Sequence, residues 1–377
     1  MSTLSDAECL ELALIAKDLQ DGVHLLHANH GQEYGGITAM LTSSALVLVA
    51  EEALNYFGQK KQQERIGAID RALFDRFAHS VTKVRSRLKL LDDTDKGAER
   101  LIAFLALIRQ QSRVLFSHPT SRIVQWLSGP YRPDLGAFFV DEHLVGTTHS
   151  VLPMLGFDPG TLAGIESGTF RNLNEFSFRF AQRLGTFCRE LGDVLAACGY
   201  VTDLAPEPQA LPLVITCNDF VGDRFYRAIG KDWPALPLDS VATLVQCLAH
   251  ANTALHLLPV MMPQESLLLL RIQYLTAYHG MSTLRKLVPA LTVPDLDELI
   301  LSNRKLRNMM AHYELRIAPG DGQEYDIDHV VQYVANASRA EIASAVRDRL
   351  TWMSTTLGAH ANKASLCRVR ALLGEHS

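Results

Sequence analysis

Apolar residues recur with a helical period along most of the first 115 positions. Between residues 6 and 27, Leu10, Leu12, Leu14, Ile15, Leu19, Val23 and Leu26 fall close to every 3.6 positions and predict a helix. Gly35-Gly36 then breaks the chain, and a largely apolar stretch predicts a second helix over 38–57. The same pattern returns over 63–91 and 97–115, with Asp92, Asp93 and Asp95 as a turn and cap between them. These four elements read as a helical meander.

The texture changes over 117–172. Pro119, Gly129-Pro130, Pro133, Gly136, Gly146, Pro153, Gly156 and Pro159-Gly160 arrive every few residues, with short apolar pieces such as Phe138-Phe139-Val140 between them. The spacing predicts an irregular segment with short helices, too apolar to be a free linker. A helix resumes over 173–198 and stops at Gly199. Ala205-Pro206-Glu207-Pro208 marks a boundary, so the chain divides into 1–205 and 206–377. A short strand is expected over 213–216. Beyond it come helices over 238–257, 263–288, 294–313 and 338–373, the last broken near Gly358. Pro259 with Pro263, Pro289 with Pro294, and Pro319-Gly320-Asp321-Gly322 separate them. The expected fold class is all-α, a helical N-terminal region followed by a four-helix bundle. No internal repeat of fixed period is visible.

A length of 377 residues suggests two or three packed units. With 47% hydrophobic and 20% charged residues, the composition is that of a soluble globular protein. The strongest apolar runs, 45–50 and 101–108, fall short of the roughly 20 residues that span a bilayer. An acidic N-terminus shows no secretory signal. A cytoplasmic protein without membrane contact is therefore expected. The six cysteines never form a CxxC pair, which fits reduced thiols better than disulfides or a zinc site. The net charge is −5, and from residue 238 onward acidic and basic residues balance. Any nucleic-acid contact must therefore be local, because no global basic field exists to recruit one.

One local feature carries chemistry. Arg307-Asn308-Met309-Met310-Ala311-His312-Tyr313 closes the third C-terminal helix just before an irregular loop. It resembles the active-site signature of HEPN-domain ribonucleases, an Arg, usually a polar residue, then a His after four to six others. The bare spacing carries little weight, since chance alone supplies about three such pairs in a chain of this composition. Arg113 to His118 has an apolar Val114 in second place, and Arg370 to His376 lies in the tail. Asn308, the Ala311-His312-Tyr313 ending and the helix-end position distinguish the pair at Arg307. The resemblance covers residues 238–377. It implies a metal-independent endoribonuclease without cofactor, acting on RNA in a prokaryotic defence or toxin-type system, with a regulatory protein partner or antitoxin. The alternative is a non-catalytic HEPN-like helical protein that binds RNA or a protein.

Cleaving RNA without metal needs a base for the ribose 2′-hydroxyl, an acid for the leaving 5′-oxygen and a cation for the phosphate. His312 suits the acid or base role, and Arg307 the phosphate clamp. Asn308, four residues before His312, would orient it or donate to a phosphate oxygen. Arg304, Lys305 and Arg316 are expected as further phosphate contacts, with Arg304, Asn308 and His312 on one helical stripe. Tyr313 is expected to support the site. On one ideal helix, however, Arg307 and His312 diverge by roughly 140°. The resemblance implies that a second copy supplies the missing half, so a homodimer with a composite site is expected. The plain alternative is a solvated basic face whose arginine pairs Glu314 or Asp297.

Other constellations carry less. His24, His27 and His30 fan over one side of the first helix, with Glu33 near, but lack a full ligand set, so a histidine cluster is expected rather than a metal site. GxxxxGK[ST], strand-led GxGxxG and GxSxG are absent. Asp219, Asp223 and Arg224 read as a solvated loop. Phe176, Phe178, Phe180 and Phe187 read as packing residues.

Overall fold

Leu267-Leu268-Leu269-Leu270 opens the helix on which most of the others pack. All four leucines are buried. A computed structural model describes residues 5–30, 35–58, 135–149, 182, 185–186, 188–196, 199–200, 213–233, 235–289, 298–313, 315 and 327–359. The helices expected at 63–91 and 97–115, and most of 117–172, lie outside these residues.

The described elements are mainly helical. In chain order they are α1 (Asp6–His30), α2 (Gly35–Gly58), β1 (Leu135–Val140), β2 (His143–Thr147), β3 (Ile215–Phe220), α3 (Gly222–Ile229), α4 (Leu238–Asn252), a π-turn (Thr253–Leu257), α5 (Leu258–Met261), α6 (Leu267–Leu287), α7 (Glu298–Leu301), α8 (Arg304–Ala311), α9 (Ile327–Ala335) and α10 (Arg339–Gly358). Helix α6 packs against α1, α2, α4, α8 and α10. Its Gly280 allows the approach of α10, because a Cβ there would collide with Met353. The first two expected helices match α1 and α2. The helix expected to stop at Gly199 is helical over 188–196. Gly199 itself takes the left-handed conformation at φ 92°, and Tyr200 N–H reaches back to the Leu195 carbonyl.

The expected helical character is found, with a small three-stranded sheet in addition. Strands β1, β2 and β3 form an antiparallel sheet in the order β2-β1-β3, with Phe138 opposite both Gly146 and Cys217. Its hairpin lies within the segment expected to be irregular. Strand β1 is buried at all six positions, so its sequence has no period-two alternation to read. The turn adds no signal either. Asp141 and Glu142 adopt φ 45° and 70°, the conformation that a two-residue hairpin turn usually assigns to Asn or Gly. The third strand, expected at 213–216, is found two residues later.

Two further departures shape the C-terminal region. Pro259 does not end a helix. The π-turn precedes it, and the proline falls in the first turn of α5, where no N–H is needed. The helix expected over 294–313 is split, because Asn303 caps a new start. Its Oδ1 accepts from Lys305 N–H and Leu306 N–H at 3.0 and 3.1 Å, while its Nδ2 donates to the Val334 carbonyl of α9 at 3.0 Å. Helix α10 opens on a capping box between Ser338 and Glu341.

A single apolar core runs from Leu12 of α1 to Leu357 of α10. Residues 201–212, around the boundary expected at 205, lie outside the described set. Gly35–Gly58 and Leu238–Met261 are long and apolar enough to cross a membrane, and each has 83% of its most apolar stretch buried inside the protein. A buried core helix has the same composition.

Asn303 holds both α8 and α9, so Asn303→Ala should lower the unfolding free energy by about 1–2 kcal/mol. Asn303→Asp, which keeps the cap acceptor, should lose less. Urea midpoints of the three proteins check the order.

Candidate active site

Helix α8 is eight residues long and buries Leu306, Met309 and Met310. Its last backbone bond runs from His312 N–H to the Asn308 carbonyl at 2.9 Å. His312 itself is extended, at φ −131° and ψ 157°. The chain therefore leaves the helix at the histidine, and the 140° divergence expected on an unbroken helix does not arise. Arg307 and His312 line one cavity of about 270 Å³ within a single chain.

A buried polar cluster holds this end in place. Arg271, in the second turn of α6, donates from Nε to the Met310 carbonyl at 2.8 Å and pairs with Asp18 of α1. Tyr313 donates its hydroxyl to Asp18 at 3.0 Å, and the Arg271 guanidinium lies 4.5 Å from the centre of the Tyr313 ring. All three side chains are buried. Burial pushes the Asp18 carboxyl above its ordinary value against the pull of Arg271. Burial pulls Arg271 down most strongly, and Asp18, Tyr313 and Glu52 together outweigh it, so Arg271 is held above its own ordinary value. Glu11 of α1 then accepts from Leu315 N–H at 2.9 Å. Met310, before His312, is thus tied to α6, and Tyr313 and Leu315, after it, to α1.

The histidine has its own partner. Its Nδ1 lies 2.8 Å from Oε2 of Glu52, on α2. The Glu52 side chain is 6% exposed and that of His312 43%. A carboxylate accepts, so in this pair Nδ1 donates to Glu52 and Nε2 is the ring nitrogen not engaged by it. Glu51, His250 and His279 line the same cavity. Burial pulls His250 down to about 4, so this ring is neutral at pH 7. The Arg307 guanidinium lies 5.7 Å from the centre of the Tyr278 ring.

The other expected site residues are placed differently. Asn308 is exposed and does not line the cavity. It reaches His312 through its backbone carbonyl, while Glu52 holds the ring. Arg304 and Lys305 are exposed and also lie off the cavity. The stripe of Arg304 and Asn308 does not continue to His312, which has left the helix. Arg316, Glu314 and Asp297 lie outside the described residues. Tyr313 supports the site from the core. His24 and His27 are half-buried on α1, and no cluster able to hold a metal ion occurs among the described residues.

Sequence reasoning missed Glu51, Glu52, His250 and His279. One signal for the first two was available. Glu51-Glu52 interrupts an otherwise apolar helix, and a carboxylate inside such a helix needs a partner elsewhere. Comparison with protein-family models, curated proteins and solved structures finds no match to this chain.

Two outcomes follow from these contacts. Asp18→Ala would leave Arg271 buried without its carboxylate and should cost about 3–5 kcal/mol, measured by denaturant unfolding. His250 is neutral when folded, whereas an unfolded histidine takes a proton near pH 6.5. Its contribution is therefore fully present above about pH 6.5 and is lost as pH falls towards 4. His250→Gln should flatten the fall in melting temperature between pH 6.5 and 4. The difference between the two profiles isolates His250 from Asp18 and Asp21, whose raised values act in the opposite sense.

Proposed function

We propose that this cavity is the active site of a metal-independent endoribonuclease. The observation that supports the reading best is that Arg307 and His312 face one cavity, with Glu52 fixed on the far nitrogen of the histidine. Nε2 of His312 then takes the proton of a ribose 2′-hydroxyl, whose oxygen attacks phosphorus. Arg307 neutralises the phosphate as charge builds on its oxygens. The bond to the 5′-oxygen breaks, and that oxygen takes a proton from a second group of the cavity, for which His279 is placed. The products are a 2′,3′-cyclic phosphate and a 5′-hydroxyl. Glu52 acts through His312, holding the tautomer and stabilising the charged ring.

The reading keeps the resemblance to HEPN ribonucleases, and the defence or toxin setting, the cytoplasmic location and a regulatory partner rest on that resemblance alone. It changes the expected architecture of the site. Arg307 and His312 of one chain line the same cavity, so this reading does not require a second chain to bring them together. A second reading, a binding protein that does not cleave, draws support from the aliphatic part of the cavity lining and from the exposed Arg304, Lys305 and Asn308.

Arg307→Ala and His312→Asn should each slow cleavage of a fluorogenic single-stranded RNA by at least about 100-fold, with unchanged circular dichroism. Asparagine keeps a donor for Glu52. Chelators should leave the wild-type rate unaltered. Mixing the two variants should restore nothing, whereas recovery on mixing would place the halves of the site on different chains. Full activity in His312→Asn would overturn the catalytic reading in favour of binding alone.

A further inference from the structure

The cavity has a side that the proposed chemistry does not use. Arg307, His312 and Glu52 come from α8, its end and α2. Leu41 and Leu48 of α2, with Ile272 and Leu275 of α6, add an aliphatic wall to the same space. His250 and Thr253, at the end of α4 and the start of the π-turn, add polar groups. A phosphodiester requires cations and proton carriers, and a ribose presents hydroxyls. Neither accounts for four aliphatic side chains. A nucleobase does, since its faces are apolar and its rim carries donors and acceptors.

We infer that the aliphatic side of the cavity receives one unstacked base of the RNA, that of the nucleotide whose 2′-hydroxyl attacks at Arg307 and His312. This rests on the ribonuclease reading above and names the part of the substrate that the cavity selects. At about 270 Å³ the space accommodates one base rather than two stacked ones. His250, neutral at pH 7, has its Nε2 engaged by Gln246, which leaves Nδ1 for the base rim. The π-turn adds Thr253 to the same lining, and Gln273 donates to the buried Ala254 carbonyl of that turn at 2.9 Å. A base buried in this way must leave its stack, so cleavage falls at unpaired nucleotides.

The test compares two single-stranded RNAs that differ at one nucleotide, which carries either its base or an abasic ribose with the 2′-hydroxyl intact. Wild-type protein should cut the intact RNA at least about 10-fold faster at that position. Leu48→Trp and Leu275→Trp, which fill the aliphatic side, should bring the ratio of the two rates towards one, with folding checked by circular dichroism. Equal rates for wild type on both RNAs would overturn the base compartment while leaving the ribonuclease reading standing. A ratio unchanged in both filled variants would also overturn it. If neither RNA is cut, the ribonuclease reading falls, and equilibrium dialysis with uridine and adenosine monophosphates decides the compartment separately. Binding lost in Leu48→Trp supports it, and no binding by wild type ends it.

Discussion

The ion pair between Arg271 and Asp18 lies where the site and the core meet. Both side chains are withdrawn from water, and further hydrogen bonds engage part of the pair, while Asp18 Oδ1 and Arg271 Nη2 are buried without a partner. Here the engagement is what positions the site. One arginine nitrogen is spent on the carbonyl of Met310, two residues before His312, and the Asp18 carboxylate also accepts from Tyr313, one residue after it. The histidine is thus held from both sides while its own ring reaches Glu52. A charge network in the core therefore determines where a half-exposed ring points.

This arrangement joins regions that the chain order separates. Helix α1 supplies Asp18 and Glu11, α2 supplies Glu52, and the motif comes from α8, nearly three hundred positions on. The N-terminal helices are consequently part of the site, contributing the partner of its histidine and the anchor of its helix end. Any division of labour in which residues before 205 only sense or regulate leaves out those contacts. The apolar core passes through α1, α6 and α10 alike.

Local features of the sequence were legible and distant ones were not. The helical period of α1, the proline-bounded α6 and the stop at Gly199 follow from short-range rules and were found where expected. Arg307 and His312 stood out because residue type, neighbours and a helix end coincide in seven positions. Glu52 lies 260 positions from His312 and Asp18 lies 253 from Arg271, so no spacing rule connects them. The sheet escaped for a different reason. A strand buried on both faces has no alternation, and a hairpin turn built on Asp141-Glu142 lacks the expected residues. The split between α7 and α8 depends on the Asn303 side chain, whose preference for capping outweighed a helical period that continues through it.

The π-turn between α4 and α5 amounts to one residue more than an α-helix of the same rise would hold. Its Thr253 hydroxyl donates to the Val145 carbonyl of β2 at 2.7 Å, next to the Leu144 carbonyl taken by Asn252. Those two bonds set the angular phase of everything after them, including Ala254 and Leu258 on the cavity wall. A substitution in this stretch changes one side chain. A one-residue deletion would turn every later position by about 100°, so along these five residues the chain constrains its count more tightly than its composition.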